Sequence, residues 1–107
     1  MNFLRAGVRI PVELPAQIRW KNRAGKYREA QGKTATISGN GLFMTVPLRL
    51  RHETPVTITV TLPVEVTKIP LELLCEGRVV RQHLTPQLPG IGAIIDHYQF
   101  RPAHRPV

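Results

Sequence analysis

From Val12 to Trp20 the chain alternates without a break. Val12, Leu14, Ala16, Ile18 and Trp20 fall on one side, and Glu13, Pro15, Gln17 and Arg19 on the other. Period two is the mark of a strand with one face in a core, and Pro15 suits its early part or a sheet edge. The polar run from Lys21 to Lys33, punctuated by Gly25 and Gly32, reads as a long connection or a loose hairpin tip. Two short strands follow, Thr34 to Ile37 and Gly41 to Val46, across a Ser-Gly-Asn-Gly turn. Gly39, Asn40 and Gly41 are residues that accept positive φ and let strands reverse. After Pro47 a basic loop leads to a strand in which Val56, Ile58, Val60 and Leu62 alternate with Thr57, Thr59 and Thr61. Pro63 and Pro70 bracket a connection. Leu71, Leu73, Cys75 and Val79 then alternate with outward Glu72, Glu76 and Arg78, and a closing strand runs from about Ile91 to His97. Six or seven strands with no amphipathic helix predict an antiparallel all-β barrel or sandwich. The proline-broken end, Arg101 to Val107, is expected to fray.

Composition narrows the setting. The 107 residues suffice for one domain with a modest core. No apolar stretch approaches the roughly 20 residues of a membrane span, and the start lacks the apolar segment of roughly 7–15 residues that a secretory signal needs. One cysteine, Cys75, cannot form an internal disulfide, so a reducing, cytoplasmic location is expected. Fifteen Lys and Arg oppose seven acids for a formal charge of +8, and eleven of the fifteen are Arg. Arg grips phosphate with a planar fork and stacks on flat rings. The charge points to nucleic acid, a nucleotide or a membrane surface, or else to a plain solvated basic face.

Catalytic chemistry is thin. Asp96 is the sole aspartate, and the six glutamates are scattered, mostly on outward-facing strand positions. His52, His83, His97 and His104 have no metal-ligand spacing, and Cys75 sits on an apolar strand face. Ser38 has no His–acid pair to activate it. Gly90-Ile91-Gly92 lacks the third glycine and the following helix of a dinucleotide fingerprint. The expectation is a binding module, neither an enzyme nor a metalloprotein, with no resident cofactor.

Two pieces then line up. Arg5-Ala-Gly-Val-Arg9 enters the first strand, and Ile37-Ser38-Gly39-Asn40-Gly41 forms a hairpin some thirty residues on, leading into Leu42-Phe43. With Gly77-Arg-Val-Val-Arg81 and Gly90-Ile-Gly-Ala-Ile-Ile-Asp96, this resembles the PilZ domain family, bacterial β-barrels that bind the second messenger cyclic di-GMP. The resemblance implies a six-stranded antiparallel split β-barrel with little helix, in a single domain: a flexible N-terminal arm over 1–10, the barrel over 11–97 and a tail over 98–107. It implies cyclic di-GMP as ligand, held by Arg5, Arg9, Thr36, Ser38, Gly41 and Arg81, with an unidentified bacterial protein as downstream partner. Arg matches both phosphate oxygens and the O6/N7 edge of guanine. In the resemblance Arg5 and Arg9 close over the ligand, Ser38 offers a hydroxyl, Gly41 keeps a side chain out of the way, and Arg81 stacks on a guanine or faces solvent.

Two positions depart from the family pattern. Thr36 stands where Asp or Asn would accept from the guanine N1 and N2 donors, and Leu4 stands where many binding relatives have another Arg. A barrel that no longer binds nucleotide and works through protein contacts is therefore a second reading. A third is a basic barrel for single-stranded nucleic acid, which needs exposed aromatic platforms. Phe43 and Trp20 both read as packing residues, so no DNA or RNA partner is expected, and no membrane insertion.

Overall fold

The computed structural model describes residues 9–84, 87 and 89–103. Its strands are β1 (Ile10–Pro11), β2 (Pro15–Lys21), β3 (Tyr27–Ile37), β4 (Gly41–Thr45), β5 (Pro55–Thr61), β6 (Leu71–Leu84) and β7 (Pro89–Pro102). Six of them close a ring, β3-β2-β5-β6-β7-β4 and back to β3, with every pairing antiparallel. The two-residue β1 adds to the edge of β3, Ile10 opposite Ile37 and Pro11 opposite Thr36. Helix is confined to one turn, α1 (Val64–Thr67), in the β5–β6 connection. No helix among the described residues is long and apolar enough to cross a membrane.

The inward residues of the alternating strands meet at the centre. Ala16 and Ile18 of β2, Val56, Ile58 and Val60 of β5, Leu73, Cys75 and Val79 of β6, and Ile91, Ala93 and Ile95 of β7 are all buried. Leu42 and Met44 of β4 complete the ring from the other side. Trp20 is partly buried against this core, at the end of β2.

Two expectations are corrected. Most of the supposed connection from Lys21 to Lys33 is strand: only Asn22 to Lys26 turn, and Tyr27 to Lys33 pair residue by residue with β2. The turn is held by Asn22, whose Oδ1 accepts from the Lys26 N–H at 2.9 Å, and by Gly25 at φ 78°. The closing strand likewise runs past His97 to Pro102, so the first two residues of the supposed frayed tail are paired with β6. The remainder of that tail from His104, and Met1 to Val8 of the N-terminal arm, lie outside the described residues.

One buried polar side chain sets where the chain enters the barrel. Thr34 is fully buried; its Oγ1 accepts from the Leu14 N–H at 2.9 Å and donates to the Val12 carbonyl. Backbone bonds Thr34 N–H to Leu14 O and Val12 N–H to Ala35 O flank it. The hydroxyl thus pairs groups that would otherwise be stranded between β1 and β2. It pins the chain just after Arg9 against β3.

Candidate functional site

The turn between β3 and β4 is a knot of hydrogen bonds around one carbonyl. The Ser38 N–H donates to Gly41 O at 2.9 Å, and the Ser38 hydroxyl reaches Asn40 Oδ1 at 3.1 Å and Gly41 O at 3.3 Å. From β7 the Tyr98 hydroxyl donates to Ser38 O at 2.8 Å and lies 3.3 Å from Gly41 O, while the Ile95 N–H donates to Asn40 O. Burial, with the charge of a Cys75 thiolate as a lesser cause, pushes the Tyr98 hydroxyl up to about 12, so it stays a donor at ordinary pH. The expected positive φ is not used: among the described residues only Gly25, Glu53 and Lys68 have it. Gly41 serves close approach instead, since a Cβ there would sit 3.2 Å from the Ala93 carbonyl of β7.

Beside this turn lies a shallow groove of about 150 Å³. Arg9, Ser38, Gly41, Phe43, Arg81 and Gly92 are among its lining residues. Its floor is a row across three strands, Phe43 of β4, Gly92 of β7 and Arg81 of β6. A Cβ on Gly92 would lie 3.2 Å from the Arg81 Cβ and 3.4 Å from the Phe43 ring, and one on Gly90 would strike the ring at 2.7 Å. The two glycines therefore seat Phe43 flat on β7 and keep the floor low. Arg81 reaches the rim through a bulge at Val80, where β6 gains one residue over β7. Arg9 reaches it from the start of the described chain, its Nη1 3.5 Å from Thr36 Oγ1, the outer limit of a hydrogen bond.

The fold thus gathers Arg9, Ser38, Gly41 and Arg81 around one groove, with Thr36 at its edge through Arg9. Arg5 lies outside the described residues. Ser38 is buried and its hydroxyl turns into the hairpin, so it shapes the turn more than it faces solvent. The groove carries two guanidiniums and no lining carboxylate. Neighbouring arginines differ: Arg78 is clamped by Asp96 at 3.0 Å and Glu53 at 3.3 Å, and Arg101 by Glu72 at 3.0 Å. Among the described residues neither Arg9 nor Arg81 has a carboxylate partner.

Two residues escaped the sequence reading. Tyr98 lies beyond the expected end of the closing strand, and nothing in its spacing marks it as the latch of a distant turn. The role of Phe43 had a trace: glycines at alternate positions, Gly90 and Gly92, leave a strip that an aromatic from the next strand fills. Which aromatic fills it depends on register. Larger concavities lie elsewhere, about 540 Å³ beside Trp20, Tyr27 and His97, and about 640 Å³ beside Arg49, Arg51 and Gln82. The first mixes Arg19 and Lys21 with Glu76 and Asp96, and the second is bounded, among the described residues, by Arg49, Leu50, Arg51 and Gln82. Neither draws together the motif residues.

Cys75 is fully buried, and burial pushes its thiol up to about 12, which leaves it a core residue without thiolate chemistry. Among the described residues, no three His, Cys, Asp or Glu side chains converge as a metal site. No family model matches the chain, and no curated protein matches it.

Proposed function

We propose that this chain is a PilZ-like signalling module that binds cyclic di-GMP in the cytoplasm and couples its level to a bacterial protein partner, without catalysing a reaction. The observation that carries the reading is the groove beside the Ser38–Gly41 turn, bordered by Arg9 and Arg81 with no carboxylate among the described residues to neutralise either. A ligand with two phosphates and two guanines offers bidentate acceptors to both guanidiniums and flat faces to Arg81 and Phe43. At about 150 Å³ the groove is smaller than the ~300–1,000 Å³ of sites that enclose a ligand. The barrel therefore supplies a docking face, and Arg5 with Arg9 supplies the cover. Closure of these arginines over a docked ligand is a change that a partner can read.

Thr36 favours a second reading, a barrel of the same kind that has lost nucleotide binding and keeps only its protein partner. A threonine hydroxyl supplies one oxygen where two acceptors would meet the guanine N1 and N2 donors.

Calorimetric titration with cyclic di-GMP separates the two. Binding should be saturable and should weaken about 10- to 150-fold in Arg9→Ala, the equivalent of ~1.5–3 kcal/mol for a charged hydrogen bond. Thr36→Asp should tighten it by roughly 5- to 150-fold on the same scale. No heat from the wild type but binding by Thr36→Asp supports the second reading. No heat from the wild type overturns the first, whichever way Thr36→Asp behaves.

A further inference from the structure

Among the described residues, the far half of β7 has a strand on one side only. Its neighbour on one side is β6, whose bonding phase is known: Leu62 N–H donates to Leu71 O and Val79 N–H to Thr54 O, so odd residues of β6 face β5. Even residues face β7, where Glu72, Leu74 and Glu76 stand opposite Arg101, Gln99 and His97. The bond from Ala103 N–H to Pro70 O keeps the same phase. The backbone N–H and C=O of Tyr98 and Phe100 must then point away from β6. On that side β4 pairs with β7 only over Gly90 to Ile94, and Asn40 takes the Ile95 N–H. Among the described residues no strand covers Tyr98 to Pro102. The side chain of Phe100 is 63 % exposed there, although it lies on the core-facing side, opposite buried Leu73.

We infer that this edge pairs with the same edge of a second copy, antiparallel, with the two-fold axis at Gln99. The register follows from the groups available. With Tyr98 opposite Phe100 of the second copy, both residues exchange N–H and C=O, and the two-fold repeats the exchange, making four bonds. Moving the axis to Phe100 sets Tyr98 against Pro102, which has no N–H. Moving it to Tyr98 sets Phe100 against Asp96, the bulged residue between the Glu76 and Gly77 pairings. Only the Gln99 axis uses both the N–H and the C=O of Tyr98 and of Phe100.

Side chains agree with that register. Tyr98 and Phe100 share the core-facing side, so each exposed Phe100 ring meets Tyr98 of the other copy as a cross-strand aromatic pair. On the outer side Arg101 of one copy stands opposite His97 of the other, whose neighbour across β6 is Glu76. Arg101 already carries its own Glu72 at 3.0 Å, so it brings no isolated charge to the seam. The joined edges form one sheet, β5-β6-β7 continued into β7-β6-β5 of the second copy, and remove the exposed edge from both.

The test is sedimentation of the full chain, with two variants. The wild type should show a doubled mass at high micromolar concentration. Phe100→Pro deletes an N–H that the fold of one copy does not use, so it should sediment as a monomer, with the thermal midpoint the wild type shows when too dilute to dimerise. Gln99→Cys places one thiol opposite its own symmetry mate at a non-hydrogen-bonded position, where Cα atoms come about 4.5 Å apart, within disulfide range. Mild oxidation should link it into dimers far faster than His97→Cys, whose mate is Arg101, and buried Cys75 should not compete. A wild type that stays monomeric, or a Gln99→Cys that links no faster than His97→Cys, overturns the pairing. A monomer whose Tyr98 and Phe100 amides resist exchange would assign the edge to another part of the same chain, and that also overturns it.

Discussion

Gly77→Ala is expected to cost the barrel about 3 kcal/mol or more, the upper end of what overpacking does. A Cβ at Gly77 would sit 1.9 Å from the Ile94 carbonyl oxygen and 2.9 Å from both the Ile94 carbonyl carbon and the Ile95 Cα. All three atoms are backbone, so no side chain can swing aside. The approach is close because β7 carries an extra residue here, Asp96, between the pairs Glu76–His97 and Gly77–Ile95. Relief would require β7 to move away from β6. Ile95 also holds Asn40, and Tyr98 holds Ser38, so that movement would loosen the β3–β4 turn as well. Against a typical total of about 5–15 kcal/mol the loss is large. Chemical denaturation should show a lower midpoint with an unchanged slope. A loss under about 1 kcal/mol would contradict the tight bulge.

Alkaline pH should destabilise the fold in steps set by one buried and one half-buried proton. In the folded chain the Cys75 thiol is pushed from 9.0 to about 12 and the Tyr98 hydroxyl from 10.0 to about 12, both mainly by burial. Each group therefore holds its proton more tightly folded than unfolded. Below pH 9 both states are protonated at both groups, and the contribution of each is fully present. Above it the unfolded chain releases the Cys75 proton while the folded chain keeps it, so stability falls, by at most ~1.4 kcal/mol per pH unit for one group. Tyr98 joins the loss from about pH 10, and both are spent as pH passes about 12. Over that window Cys75 alone is worth on the order of 4 kcal/mol. Denaturation curves in a pH series should show the decline starting near pH 9 in the wild type and nearer pH 10 in Cys75→Ala. A wild type equally stable across this range would contradict it.

Much of the barrel is legible in the alternation of apolar and polar residues, and the failures have physical causes. β2, β5 and the first part of β6 carry large apolar side chains at every second position, so their inner faces declare themselves. β3 does not: its inward positions beside β2 are Arg28, Ala30 and Gly32. Arg28 pairs with Trp20 near the hairpin turn and is exposed, while a Cβ on Gly32 would strike the Thr45 carbonyl at 2.2 Å. A position that must stay empty leaves no hydrophobic trace. Past Ile95, β7 has a single neighbour among the described residues and few apolar residues to announce a strand. Bulges at Val80 and Asp96 also shift the phase, and nothing local marks which residue is the extra one.

The candidate site divides the same way. The spacing of Arg9, Ser38 and Gly41, and the strand-end position of Arg81, marked residues that the fold gathers around one groove. What the spacing could not convey is how the groove is built. The Phe43 ring lies on two glycines, and Tyr98 latches a turn sixty residues away in sequence. Both depend on register across β4, β7 and β6, which is a property of the closed barrel and of no single segment.

The most direct measurement of the functional reading is an amide chemical-shift titration of the full chain with cyclic di-GMP. Shifts should be largest from Ser38 to Phe43, at Arg81 and from Gly92 to Ile94, the backbone around the groove. No shift at ligand excess, or shifts centred instead on the cleft of Trp20, Tyr27 and His97, would contradict it.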